Sequence, residues 1–191
     1  MTTGKIVKTK YSIALPWFFA TFGGFLLSLI WIEVGERPDI GLVEATVGGL
    51  AIALPQSYIL RHTRFSGRWV LATLLGWAMI ALTGVGAVGW IVTTTESLPI
   101  RLLWGALSGA IGGLGMGLAQ WRLAIPPSVP YAWQWIFVSS ASWAVAIPIG
   151  SCIGIFLHHR TQLFLGEVLG LVITWLVVAM LTGINAYRLC K

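Results

Sequence analysis

The chain has 191 residues, of which 57% are hydrophobic and only 9% charged, against about a quarter charged in water-soluble domains. So few ionic side chains cannot solvate a soluble surface of this size, and no segment is long enough for a separate soluble domain. The formal net charge of +6 does not indicate a nucleic-acid partner, because the basic residues are scattered through short loops beside apolar runs and form no dense patch.

Lys5, Lys8 and Lys10 precede the first apolar run, Ile13 to Val34. That run is longer than the apolar core of a signal peptide and lacks a small-x-small cleavage site, so we read it as a retained membrane helix. Five more apolar segments follow at approximately 42–60, 69–92, 101–123, 133–157 and 163–187. At roughly 20 residues per crossing, the chain has room for six. Charges, prolines or polar residues mark the breaks between them. Backbone groups in hydrocarbon must pair internally, so the segments should be helices, and they lack the alternation of barrel strands.

The second segment carries a ladder of small residues, Gly41, Ala45, Gly49 and Ala53, and the fourth carries Gly105, Gly109, Gly113 and Gly117. Each ladder runs into a glutamine, Gln56 or Gln120. Small residues every fourth position predict that neighbouring helices pack backbone to backbone. The sixth segment has a fainter copy, Gly166, Gly170 and Thr174, with Val177 in the glutamine's place. The odd segments share another pattern. Trp17-x-x-Ala20-Thr21-x-x-Gly24-Phe25 recurs as Trp69-x-x-Ala72-Thr73-x-x-Gly76-Trp77 and, more weakly, as Trp135-x-x-Val138-Ser139-x-x-Ser142-Trp143. Its four-residue spacing puts ring, hydroxyl and ring on one helix face.

Together these patterns predict an all-α fold, a bundle of six transmembrane helices. It is a single integral membrane domain over 1–191, built from three tandem helical-hairpin repeats at approximately 13–60, 69–123 and 133–187. Hairpins in tandem share one orientation, which predicts a pseudo-symmetry axis along the membrane normal. With a cytoplasmic N-terminus, Lys5, Lys8, Lys10, Arg61, Arg64, Arg68, Arg122, Arg188 and Lys191 fall on the cytoplasmic side. Only Arg37, Arg101 and Arg160 lie opposite, with all six acids. The positive-inside rule then puts both termini in the cytoplasm.

Candidate sites are few. Gln56 and Gln120 are expected to pair with each other or with the hydroxyls of the odd helices, and are also candidates to ligate a cofactor. Trp77, Trp143 and Trp175 fall deep in their segments and are candidates to flank a flat pigment or quinone. Trp17, Trp31, Trp69, Trp90, Trp104, Trp121, Trp133 and Trp135 lie near segment ends and read as an aromatic belt. Pro55 and Pro148 are expected to kink their helices. Glu44 and Glu167 sit in first turns, where a carboxylate complements the helix dipole, and mid-bilayer is expected to be free of charge. His158 and His159 read as solvated loop residues, and Cys152 and Cys190 as free thiols. No phosphate loop, catalytic triad, HExxH or Cys-x-x-Cys is present. The expectation is no catalytic residue, no metal site, and no cofactor that any motif requires.

The units Gly48-Gly49-Leu50-Ala51-Ile52-Ala53-Leu54-Pro55-Gln56 and Gly112-Gly113-Leu114-Gly115-Met116-Gly117-Leu118-Ala119-Gln120-Trp121, each followed by a basic loop and a Trp-led helix, resemble a loose group of uncharacterised bacterial multi-pass membrane proteins. This chain departs from that pattern with Ser57 where the second unit has Trp121. The resemblance implies the repeat architecture and a bacterial inner or internal membrane, and carries no activity. The expected function is a non-enzymatic accessory, assembly or scaffold subunit. It would act through contacts within the bilayer with lipid, other membrane subunits or a second copy of itself, and with no nucleic acid. The alternatives are a carrier or channel for a small or lipophilic solute, and a pigment- or quinone-binding protein.

Overall fold

Six helices make up the fold in the computed structural model, which describes residues 3–35, 40–63, 66–84, 89–92 and 97–190. They are α1 (Thr3–Ser28), α2 (Leu42–Ile59), α3 (Ser66–Thr83), α4 (Leu98–Ala119), α5 (Gln134–Thr161) and α6 (Leu165–Ala186). Among the described residues there is no strand, only an isolated bridge between Gly35 and Ile91. Five helical stretches are long and apolar enough to cross a membrane: Leu42–His62, Ser66–Thr83, Leu98–Ala124, Gln134–Thr161 and Leu165–Leu189. In α1 the apolar stretch is Ile13–Ser28. Large apolar side chains such as Phe19, Leu71, Leu82, Leu103, Phe137 and Phe156 cover the outer surface, as lipid-facing positions require.

Each helix packs on the next, and α6 returns to α1, so the six close into a ring. Close backbone approach sets most of these seams. A methyl group on Gly109 or Gly113 of α4 would stand 2.6 Å from the Trp143 carbonyl oxygen or 2.7 Å from that of Ser139, both in α5. Gly117 meets Ile136 in the same way, and Gly105 meets the Ile147 side chain. Further along α5, Gly150 and Gly154 abut Gly170, while Gly166 abuts His158. Gly24 of α1 lies on the backbone of Ala51 and Ile52 in α2, and Gly183 of α6 faces the Ala14 carbonyl oxygen of α1.

The ladder of α2 behaves differently from expectation. Gly49 faces the Trp77 ring and its neighbour Gly48 the Trp90 ring, so these glycines make room for indoles rather than for backbone. Ala45 and Ala53 are buried, and Gly41 is the exposed N-cap whose amide donates to the Glu44 carboxylate at 3.1 Å. The α4 ladder also packs across a hairpin boundary, onto α5, not within the hairpin it forms with α3.

Two helix ends depart from the apolar segments. The segment expected over 69–92 is helical only to Thr83. Gly84 follows at φ 60, a left-handed terminator that glycine adopts without steric cost. Likewise α1 stops at Ser28 and turns through Leu29–Ile32 instead of running on to Val34. At the far end of α4 the helix widens into a π turn over Gln120–Ala124, and Ile125 is extended ahead of Pro126, as a residue before proline tends to be. Of the charges that fix the expected orientation, Glu36, Arg37, Asp39, Arg64, Glu96 and Lys191 lie outside the described residues.

Aromatic rings fill the inside of the helix ring in two tiers. Trp17, Trp69 and Trp135, one from each odd helix, meet edge to face with centroids 5.5, 5.8 and 5.6 Å apart. Two turns further along the same helices stand Phe25, Trp77 and Trp143. Trp175 of α6 sits among them, 4.9 Å from Phe25, 6.0 Å from Trp77 and 4.9 Å from Trp143. Trp90, from the segment after α3, adds a further ring 4.7 Å from Trp77. Offset and edge-to-face pairs contribute about 0.5–1.5 kcal/mol each beyond area burial. Trp17, Trp69, Trp90 and Trp135 thus belong to the core and not to an aromatic belt. Trp31, Trp104 and Trp133 are the exposed ones.

Candidate functional site

A buried indole N–H needs an acceptor, since leaving one unmade costs about 1–3 kcal/mol. The first tier meets that need in a repeating way. Gln56 of α2 donates its amide N–H to Thr21 Oγ1 of α1 at 2.8 Å and accepts from Trp69 Nε1 of α3 at 3.0 Å. Gln120 of α4 donates to Thr73 Oγ1 of α3 at 3.0 Å and accepts from Trp135 Nε1 of α5 at 2.7 Å. Each glutamine therefore ties its own helix to both neighbours, and the two do not pair with each other. The third junction lacks a glutamine. There Trp17 Nε1 donates to Thr182 Oγ1 of α6 at 3.3 Å. The π turn at the end of α4 begins at Gln120 itself, consistent with π turns marking special positions in helices.

In the second tier, Trp90 Nε1 donates to Ser28 Oγ at 2.7 Å, and Trp175 Nε1 donates to the Gly89 carbonyl oxygen. Gly89 takes φ 116, and a side chain there would press on Trp77 and Trp175, so glycine suits the position twice over. Between the tiers lies a cavity of about 40 Å³ lined by Gln56, Gln120, Thr21, Thr73, Trp77, Trp143 and Trp175 among others. It has space for a few waters. Its volume is far below the few hundred Å³ of a typical organic-ligand pocket.

Truncating one of these glutamines tests the girdle. Gln120→Leu strands the Trp135 N–H and removes the donor to Thr73. We expect about 1–2 kcal/mol of lost stability, read by reversible unfolding in mixed micelles, with a similar loss for Gln56→Leu.

A larger pocket, about 220 Å³, lies at the other end of the molecule between α4, α5 and α6, with residues 89–92 beside it. Its wall contains an ion pair that no spacing in the sequence joins. Arg101, in the first turn of α4, and Glu167, in the first turn of α6, are both buried. The guanidinium donates to both carboxylate oxygens, at 3.0 and 2.5 Å. Such a fork-on-fork pair is the strongest geometry available to these groups. Charge placement in the sequence puts Arg101 on the outer side, and its position in a first turn gives Glu167 the role of complementing its helix dipole; neither points to the other. At the N-terminus of α4 a cation opposes the dipole, and the carboxylate across the bundle is what offsets this. Nε of Arg101 is buried with no hydrogen-bond partner among the described residues. The rest of the wall is small or apolar: Gly105, Gly150, Gly170, Ile147, Leu171 and Ile91, with the hydroxyls of Ser108, Ser151 and Thr174. Trp104 is both wall and exposed surface, so the pocket reaches the outside there.

Other candidates stand apart from both features. His158 Nδ1 lies 3.1 Å from the Leu163 carbonyl oxygen in an exposed turn, and Cys152 is a free thiol on an exposed face. Among the described residues no three His, Cys, Asp or Glu side chains gather as a metal site. Set against known proteins, the chain matches no family model, no curated protein and no solved structure.

Proposed function

We propose that the protein is a non-enzymatic, multi-pass membrane protein that holds a small lipophilic solute in the pocket beside Arg101 and Glu167. The buried ion pair in the wall of that pocket is the observation that carries this reading. Ionisable groups buried among membrane helices are costly and mark ligand paths or sites. A pocket that combines such a pair with an apolar lining has the usual make-up of a small-molecule site. A scaffold subunit needs free helix faces within the bilayer, but the glycine seams of α4, α5 and α6 are engaged within the chain. A protein partner would have to dock through the bulky lipid-facing side chains.

In this reading α1 is a sixth crossing and the three hairpins are related about an axis along the membrane normal, with both termini cytoplasmic. Support comes from the matching Gln56 and Gln120 junctions and from the three equivalent tryptophans, 17, 69 and 135. The membrane we propose is the inner or an internal membrane of a bacterium. That rests on the resemblance of the glycine-glutamine units.

The test is gentle extraction from native membranes followed by native mass spectrometry. The wild-type protein should carry a small molecule, and Ser108→Phe, which fills the pocket from α4, should lose it while keeping the wild-type melting behaviour. A protein that comes out empty, or a Phe variant that retains the molecule, overturns the reading.

A further inference from the structure

We infer that the pocket between α4, α5 and α6 takes a neutral, oxygen-bearing apolar compound of the ketone, ester or amide class, received through the guanidinium of Arg101. The inference rests on the ligand-holding reading above and specifies the ligand's chemistry.

Three observations lead there. The first is charge. Arg101 and Glu167 face one another at hydrogen-bond distance and neutralise each other. An anionic ligand added beside them would leave one uncompensated negative charge, and a cationic ligand one positive charge, in a region sheltered from water. A neutral ligand leaves the balance intact. The second is the donor inventory. A guanidinium has five N–H groups and no acceptor. Glu167 engages one on each terminal nitrogen, and the Nε–H has no partner among the described residues. What this N–H lacks is an acceptor, and an uncharged carbonyl oxygen supplies one. Ser108 and Thr174 already donate their hydroxyl protons to Gly105 and Gly170 carbonyl oxygens of their own helices, so their oxygens do not compel a donor on the ligand. The third is shape. About 220 Å³, bounded by Gly105, Gly150, Gly170, Ile147 and Leu171, suits a compact apolar body of one or two rings or a short chain. Ser108 faces that body from α4, and the opening beside Trp104 gives a way in.

A matched probe series separates this inference from the reading beneath it. The full-length protein, in lipid nanodiscs, is titrated calorimetrically with acetonaphthone (ketone), ethylnaphthalene (no acceptor) and naphthoate (anion), with empty nanodiscs as the partition control. Acetonaphthone should bind wild type at least roughly tenfold more tightly than either of the others, the range expected for one buried hydrogen bond from a charged donor. Arg101→Lys keeps a cation for Glu167 but removes the guanidinium's spare donors. In that variant the ketone should fall to the affinity of ethylnaphthalene, while ethylnaphthalene itself is unchanged. Ser108→Phe should abolish all three. Equal binding of ketone and hydrocarbon, abolished by Ser108→Phe, overturns this inference while the pocket reading stands. Tightest binding of naphthoate overturns it in favour of an anion site. Binding that Ser108→Phe does not affect overturns both. If Arg101→Lys fails to fold, the ranking of the three probes on wild type decides alone.

Discussion

Glu167→Gln should cost the protein about 3–5 kcal/mol of stability, the loss expected when one partner of a buried ion pair is removed. The amide retains the shape of the carboxylate but cannot balance the Arg101 charge, which lies in the first turn of α4 with its helix dipole already against it. Arg101→Met should be similarly costly, because it leaves the Glu167 carboxylate buried without a counter-charge. The decisive comparison is the double variant Arg101→Met/Glu167→Leu. Apolar residues of similar volume often replace a buried pair without loss, so the double variant should recover most of the wild-type stability. Reversible unfolding in mixed micelles reads all three. A double variant that falls by the sum of the single losses would show that the two residues act independently, and would remove the pair as a unit.

Gly109→Leu should disrupt the seam between α4 and α5. The first added carbon meets the carbonyl oxygen of Trp143 at 2.6 Å and its carbonyl carbon at 2.8 Å. Neither can rotate away as a flexible side chain would. The α4 and α5 axes must part, and the contacts at Gly113 and Gly117 part with them. Overpacking of a tight core typically costs about 1–3 kcal/mol and sometimes more. A backbone-to-backbone seam belongs at the upper end, and we expect loss of the folded monomer in mild detergent by size-exclusion chromatography. Gly115→Leu is the control on the same helix, since a side chain there meets nothing within 4 Å. It should elute as wild type does. Equal behaviour of the two variants would mean that the ladder is not a packing device.

Much of this architecture is legible in composition and period, because both act locally. Scarcity of charge names the solvent, runs of about twenty apolar residues name the helices, and glycines four apart name the close seam of α4. The failures share a cause, which is that hydropathy and spacing carry no direction. Trp17, Trp69 and Trp135 stand near the ends of apolar segments, where a belt tryptophan also stands. Only the bundle reveals that they turn inward to Gln56, Gln120 and Thr182. The clue available was the pattern itself, since a tryptophan repeated in register with a threonine four residues on shares that threonine's face. Arg101 and Glu167 lie 66 residues apart, and no spacing rule joins residues so distant. Past Thr83 the chain stays apolar through Trp90, so hydropathy continues the helix where Gly84 ends it. The segment then returns Trp90 and Gly89 to the second tier.

The two stacked tiers of rings have a consequence for how such a molecule can serve a cell. Interlocked indoles close the centre of the helix ring twice, so the described residues leave no open path along its axis. Under the ligand-holding proposal, a compound lodged near Arg101 would depart by the doorway it entered. Under that proposal, what such a protein gives a cell is the filling or emptying of one berth, with no flow from one face of the membrane to the other.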